Sequence, residues 1–206
     1  MKVNYFDLGL YKGTEMGWMI NKIFPKLGIE NYSAYGFEAC GKYCKGISRR
    51  YDSNDKVKIE HLAISNEEKT IRLYKSNNAV GHSIYPTKRN VNQKKFEEVR
   101  AMRFSEWARQ NDINFKSCFN IMKINIEGAE WPLFQDLVST KIIKDIDIFC
   151  GAGHDVKKVG ELKEIVNDYY KLLEDHNVHL YRFTEYKAPL NDDLAKIIRK
   201  KYMENT

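Results

Sequence analysis

Apolar residues in this chain follow two rhythms, and the points where one gives way to the other mark its elements. Val3, Tyr5 and Phe6 begin a short strand that breaks into Asp7, Gly9 and Gly13 in the stretch DLGLYKG. Glycines suit a strand that enters a ligand site, because backbone can approach a ligand where bulk is absent. From Thr14 to Phe24 the spacing turns helical: Met16, Trp18, Met19, Ile20, Ile23 and Phe24 form a broad stripe, and Pro25 closes it. Tyr32 to Phe37 reads as a second strand ending at Glu38, residues 40 to 54 as a polar, basic helix and loop, and Val57 to Ser65 (VKIEHLAIS) as a third strand. Thr70 to Lys75 and Glu98 to Met102 alternate as further strands, and Ser105 to Gln110 makes a short helix opened by a serine cap, with Trp107 as a core anchor.

In the second half, Phe119 to Glu130 (FNIMKINIEGAE) points Met122, Ile124 and Ile126 one way and Lys123, Asn125 and Glu127 the other. A parallel strand covered on both faces is nearly all apolar. These three polar residues are therefore paired, placed at the open carboxyl end, or on the solvated face of an edge strand. Ala129 to Val138 resumes as a helix, Ile142 to Cys150 as a strand, Glu161 to His176 as an amphipathic helix and Val178 to Phe183 as a late strand. Leu194, Ile197, Ile198 and Tyr202 form the apolar side of a basic terminal helix that covers the sheet. Strand and helix alternate almost throughout, which predicts an α/β fold with a mostly parallel central sheet flanked by helices.

Composition narrows the picture. The 206 residues suit one domain, and 43% apolar with 30% charged residues is ordinary for a globular chain. No run approaches the roughly 18 apolar residues that span a bilayer, and Met1 leads almost at once into a strand without a signal-peptide pattern, so the expected compartment is cytoplasmic. Cys40, Cys44, Cys118 and Cys150 lack metal or redox spacing and read as reduced thiols. The net charge of +6 is spread over short clusters, among them Arg49 with Arg50 and Lys88 with Arg89. Scattered charge of this kind argues for solvated faces over a nucleic-acid stripe.

Candidate chemistry gathers at the strand ends. The glycine turn has the form Asp-x-Gly-x-x-x-Gly, which misses the dinucleotide fingerprint by register. Glu38 follows Gly13 by 25 residues, near the distance at which an acid meets ribose hydroxyls. Leu62 and Ala63 are apolar enough to pack a base at the end of the third strand. The stretch from Ser76 to Lys95, rich in Asn, Gly, Ser and Lys, suits a long functional loop or lid, with His82 and Ser83 as substrate contacts. Gly151, Gly153, His154 and Asp155 form a second polar strand end.

With those residues in view, the chain from Val3 to Asp155 resembles the FkbM-like family of S-adenosylmethionine-dependent methyltransferases. Four stretches carry the resemblance in order: DLGLYKG, YGFEA, KINIEGAE and GAGHD. It implies a Rossmann-like class I methyltransferase fold that binds S-adenosyl-L-methionine through Asp7, Gly9, Gly13, Glu38, Leu62 and Ala63. Many such enzymes methylate hydroxyls, often on sugars, which implies a small-molecule or glycan acceptor met by His82, Ser83 and Asn125. The family often has aspartate at Asn125 and an Asn-like residue at Tyr11, and loss of a carboxylate argues against a bound metal. Without a metal the acceptor hydroxyl needs a base. His154 is the first candidate, oriented by Asp155 or Glu127, and Glu127 itself is the second. Lys123 either holds a substrate oxygen or neutralises Glu127. Nucleic-acid methylation and an inactive cofactor-binding module are the other readings.

Overall fold

The computed structural model describes residues 1–78, 80–182 and 191–204. Strand β1 (Lys2–Leu8) is central, buried along nearly its whole length and paired in parallel with β2 (Tyr32–Phe37) on one side and β7 (Cys118–Ile124) on the other. With β3 (Val57–Glu60), β8 (Ile148–Gly151) and β9 (Leu180–Tyr181) it makes a six-stranded sheet in the order β3-β2-β1-β7-β8-β9, parallel at every pairing. The chain moves outward from β1 to β3 and then returns to the other side of β1. The reversal of strand order between β1 and β7 opens the crevice in which sheets of this kind bind ligands.

Alternation decides what each face buries. On β1 and β7, Val3, Tyr5, Phe119 and Ile121 pack with Met16, Phe24, Leu194 and Ile198, which belong to the first and last helices. Phe6, Leu8, Met122 and Ile124 pack on the opposite face against Trp107, Phe134 and Tyr169. The terminal helix α7 (Asn191–Glu204) therefore covers the sheet, as its apolar side predicts. Among the described residues, no helix is long and apolar enough to cross a membrane.

The helical stripe after the glycine turn runs through Pro25. It comprises α1 (Thr14–Trp18), a π turn (Met19–Ile23) and α2 (Phe24–Lys26). The widened turn accommodates the proline, whose missing N–H would break a regular helix. The stop comes at Gly28, with φ of 69°, where Gly28 N–H donates to the Pro25 carbonyl and Ile29 N–H to that of Phe24. After α3 (Gly41–Tyr51), the expected third strand divides. The peptide turns at His61, Leu62 N–H donates to the Glu38 carbonyl, and Ala63–Ile64 form β4 of a second sheet.

That second sheet, in the order β4-β6-β5, joins β5 (Lys69–Ser76) and β6 (Val91–Met102) as an antiparallel pair. The loop expected to reach Lys95 therefore ends at Asn90. Helix α4 (Phe104–Gln110) has Arg103, not Ser105, at its N-cap. Ser105 instead donates from its amide (2.8 Å) and hydroxyl (2.6 Å) to the Asp136 carboxylate on α5 (Glu130–Ser139). A long-range carboxylate has taken over the capping. Residues 142–145 form a 3-10 turn before β8, so that strand begins at Ile148. The amphipathic segment opens with a 3-10 turn (Gly160–Ile165) before α6 (Val166–Asp175). The late strand is confined to Leu180–Tyr181, and Phe183 lies outside the described residues.

Glu130 opens α5 fully buried, accepting from the amides of Gly128 (2.8 Å) and Ile126 (3.3 Å). Burial pushes its carboxyl up to about 8, with Asp155 and Glu127 adding to the rise against the Gly128 amide. A folded-state value above the unfolded one makes stability full below the unfolded value and lost as pH rises through the folded one. Urea denaturation at pH 5.5 and 9 should show wild type losing stability across this window. In Glu130→Gln that loss should shrink by roughly 2 kcal/mol; parallel pH profiles for the two proteins would contradict the assignment.

Candidate functional site

A cavity of about 180 Å³ lies at the carboxyl ends of β1, β2 and β7. The first turn forms its floor. Gly9 leaves β1 with φ of 86°, and a Cβ there would stand 1.9 Å from the Asn125 carbonyl oxygen, so only glycine lets the ends of β1 and β7 pass this closely. Gly9 and Leu10 donate backbone N–H groups to the Phe37 carbonyl, which ties the turn to the end of β2. Tyr11, at φ of 51°, then aims its own N–H at Glu38.

Glu38 is 8% exposed and lines the cavity. One carboxylate oxygen accepts from Tyr11 N–H (2.6 Å) and the other from Cys40 N–H (2.7 Å). Burial raises the carboxyl to about 7, with both amides and Lys123 opposing. Each oxygen keeps a second lone pair, so this acid can accept hydrogen bonds from two ligand hydroxyls. Beside it, Phe37, Leu62, Ala63, Ile64 and Leu73 make an apolar wall.

The opposite wall is aromatic and polar. Tyr11 meets Tyr43 edge-on with ring centroids 4.8 Å apart, and Tyr43 lies nearly parallel to His82 at 6.0 Å. Nδ1 of His82 accepts from Ser76 N–H (3.0 Å), and burial with nearby Lys75 holds the ring below its usual range. The neutral ring therefore presents Nε2–H as a donor. Ser83 lines the cavity, its hydroxyl donating to the Glu127 carbonyl (2.7 Å) and accepting from Tyr85 N–H (3.2 Å), and Asn125 completes that side.

Glu127 closes the far end, in the left-handed region with φ of 58°. It pairs with the buried Lys88 ammonium (2.6 Å), which also donates to the Asn90 side chain (3.0 Å) and the Gly81 carbonyl (3.2 Å). Asp155 lies against the same carboxyl. Burial and the hydrogen bond to Asp155 raise Glu127, with Lys88 opposing, whereas Glu127 and Lys158 overcome burial and hold Asp155 low.

Gly9, Glu38, Leu62, Ala63, His82, Ser83, Asn125 and Glu127 thus gather around one cavity. Asp7, Gly13, Lys123, His154 and Asp155 stand outside its wall. Asp7 is fully buried and paired with Lys123 at 2.9 Å, while Gly13 starts α1 and faces Ile47. Lys123, expected to hold a substrate oxygen or neutralise Glu127, is buried beneath the turn, where it donates to the Gly9 carbonyl (2.8 Å). His154 has a half-exposed side chain, with Nε2 3.7 Å from Asp155, and is not among the residues that line the cavity. Lys88 is a correction of another kind: its expected place is a solvated basic cluster, and it is 4% exposed. Glu15 and Tyr43, unremarked in the sequence, also line the cavity. An acid in the first turn of a helix is the one signal Glu15 gives, and that signal is common to helices.

No protein-family model matches this sequence, and no curated relative matches it. Among solved structures, the chain is similar to the crystal structure of methyltransferase FkbM from Methylobacillus flagellatus KT, at a TM-score of 0.45 and 13% identity. The similarity covers 83% of this chain and 36% of that one, so the chain spans about a third of that structure's length.

Proposed function

We propose that this chain is an S-adenosyl-L-methionine-dependent methyltransferase whose acceptor is a hydroxyl, on a sugar or glycan. The observation that carries the reading is Glu38: a buried carboxylate at the end of β2, on the wall of the crevice beside the glycine turn, with a lone pair free on each oxygen. That pair of acceptors fits the two ribose hydroxyls of an adenosine. The apolar wall of Leu62, Ala63 and Ile64 suits the base, and the close passage of Gly9 leaves backbone exposed to the rest of the donor. When bound, S-adenosyl-L-methionine supplies an electrophilic methyl group.

The chain's own residues then orient an acceptor and take its proton. His82 offers Nε2–H, and Ser83 and Asn125 add polar groups, a set suited to sugar hydroxyls. Glu127 is the general base of this proposal. It reaches the cavity, and its raised proton affinity makes it a stronger acceptor than an ordinary carboxylate. His154 is relieved of that role by its position, and Asp155 and Lys88 set the charge of Glu127. Alignment of oxygen and methyl carbon supplies much of the rate.

Two outcomes test the reading. A ligand that donates hydrogen bonds to Glu38 favours its ionised form, so affinity for S-adenosyl-L-methionine should rise as pH climbs through about 7, approaching roughly tenfold between pH 6 and 8. Calorimetry should also detect proton release near pH 7, and Glu38→Gln should lose both effects; a flat pH profile in wild type would remove Glu38 from the site. With a glycan acceptor, Glu127→Gln should lower turnover by about 100-fold or more with donor affinity held within about threefold. His154→Ala should stay within about threefold of wild type in both, and the reverse pattern would restore His154 as the base.

A further inference from the structure

We infer that Lys123 is the positioning residue of the cavity's first turn: anchored on Asp7, its ammonium fixes the Gly9 carbonyl, and through it the backbone that presents Tyr11 N–H to Glu38. Asp7 and Lys123 are register partners on adjacent parallel strands and share one face of the sheet. Both side chains are withdrawn from water, at 0% and 1% exposure. Such a pair costs heavily in desolvation, and apolar residues of similar size often serve stability as well or better. The strands have no evident need of it, since β1 and β7 already pair in register from Lys2 with Cys118 through Leu8 with Ile124.

What the ammonium adds is direction. The ammonium stands 2.9 Å from one Asp7 oxygen as an ion pair, and it donates an N–H past the strand end to the Gly9 carbonyl at 2.8 Å. The Tyr5 hydroxyl donates to the other Asp7 oxygen (3.1 Å), so the carboxylate is itself held in place. From Gly9 the path to the ligand wall is short. Gly9 and Leu10 are tied to the Phe37 carbonyl, and two residues on, Tyr11 N–H meets Glu38 at 2.6 Å. Lys123 does not line the cavity, so its influence on a ligand passes through this backbone and through its charge, which favours the ionised form of Glu38.

The role for a methyl donor rests on the function proposed above, whereas the effect on the turn stands apart from it. The test is the double variant Asp7→Asn/Lys123→Met, which removes both buried charges together and keeps an acceptor for the Tyr5 hydroxyl. It should unfold within about 5 °C of wild type. Amide hydrogen exchange at Gly9, Leu10 and Tyr11 should quicken by roughly tenfold while that of β1 and β7 stays as in wild type. Affinity for S-adenosyl-L-methionine should fall by roughly tenfold. Unchanged exchange in the turn would overturn the inference, and so would failure of the double variant to fold, which would make the pair structural. If the wild-type chain binds no S-adenosyl-L-methionine, the methyl-donor reading fails, and the exchange comparison still decides the role of Lys123.

Discussion

The crevice depends on one buried ion pair, Asp7 with Lys123, at the place where the chain returns to lie beside its first strand. A parallel sheet must splay its connections to opposite sides at such a point, and the backbone leaving β1 needs an anchor that the ladder no longer supplies. Lys123 provides it through the Gly9 carbonyl, Phe37 through the Gly9 and Leu10 amides, and Asn125 by closing over a residue that has no side chain.

Charge is handled the same way throughout the site. Lys88 lies against Glu127, Lys158 against Asp155 and Lys75 against Glu97, so the lysines around the cavity are matched to carboxylates and none of the three ammonium groups lines it. Glu38 and Glu130 differ: backbone amides hold them, and burial lifts both to about 7 and about 8. One of these acids stands at the ligand wall and the other at the start of the helix that follows β7.

Much of this was legible in the sequence because it depends on local pattern. The run from Val3 into Gly9 placed β1 and its turn, and Tyr32 to Phe37 placed β2 with Glu38 at its end. Polar residues at alternate positions of an apolar strand left three places open for Lys123, and pairing in a buried site is the one the fold adopts. The partner was another matter, since Asp7 stands 116 residues away and only sheet order brings the two side by side. Lys88 was misplaced for a like reason: its neighbour Arg89 suggests a surface cluster, while its partner Glu127 belongs to another element. His154 shows a different limit. A glycine-rich strand end fixes where the backbone goes but not where the side chain lies, and the half-exposed ring is not part of the cavity lining. Pro25 and the divided third strand were missed because a π turn and a single hydrogen bond from Leu62 to Glu38 changed the local geometry.

On the proposed function, the crevice at the β1 and β7 ends receives the methyl donor. The most direct measurement is an amide NMR titration of the isotope-labelled chain with S-adenosyl-L-methionine. Saturable shifts are expected, confined to Gly9–Gly13, Glu38–Ala39 and Leu62–Ile64, with little change along α7. No shifts at millimolar donor, or shifts centred on another face of the sheet, would contradict it.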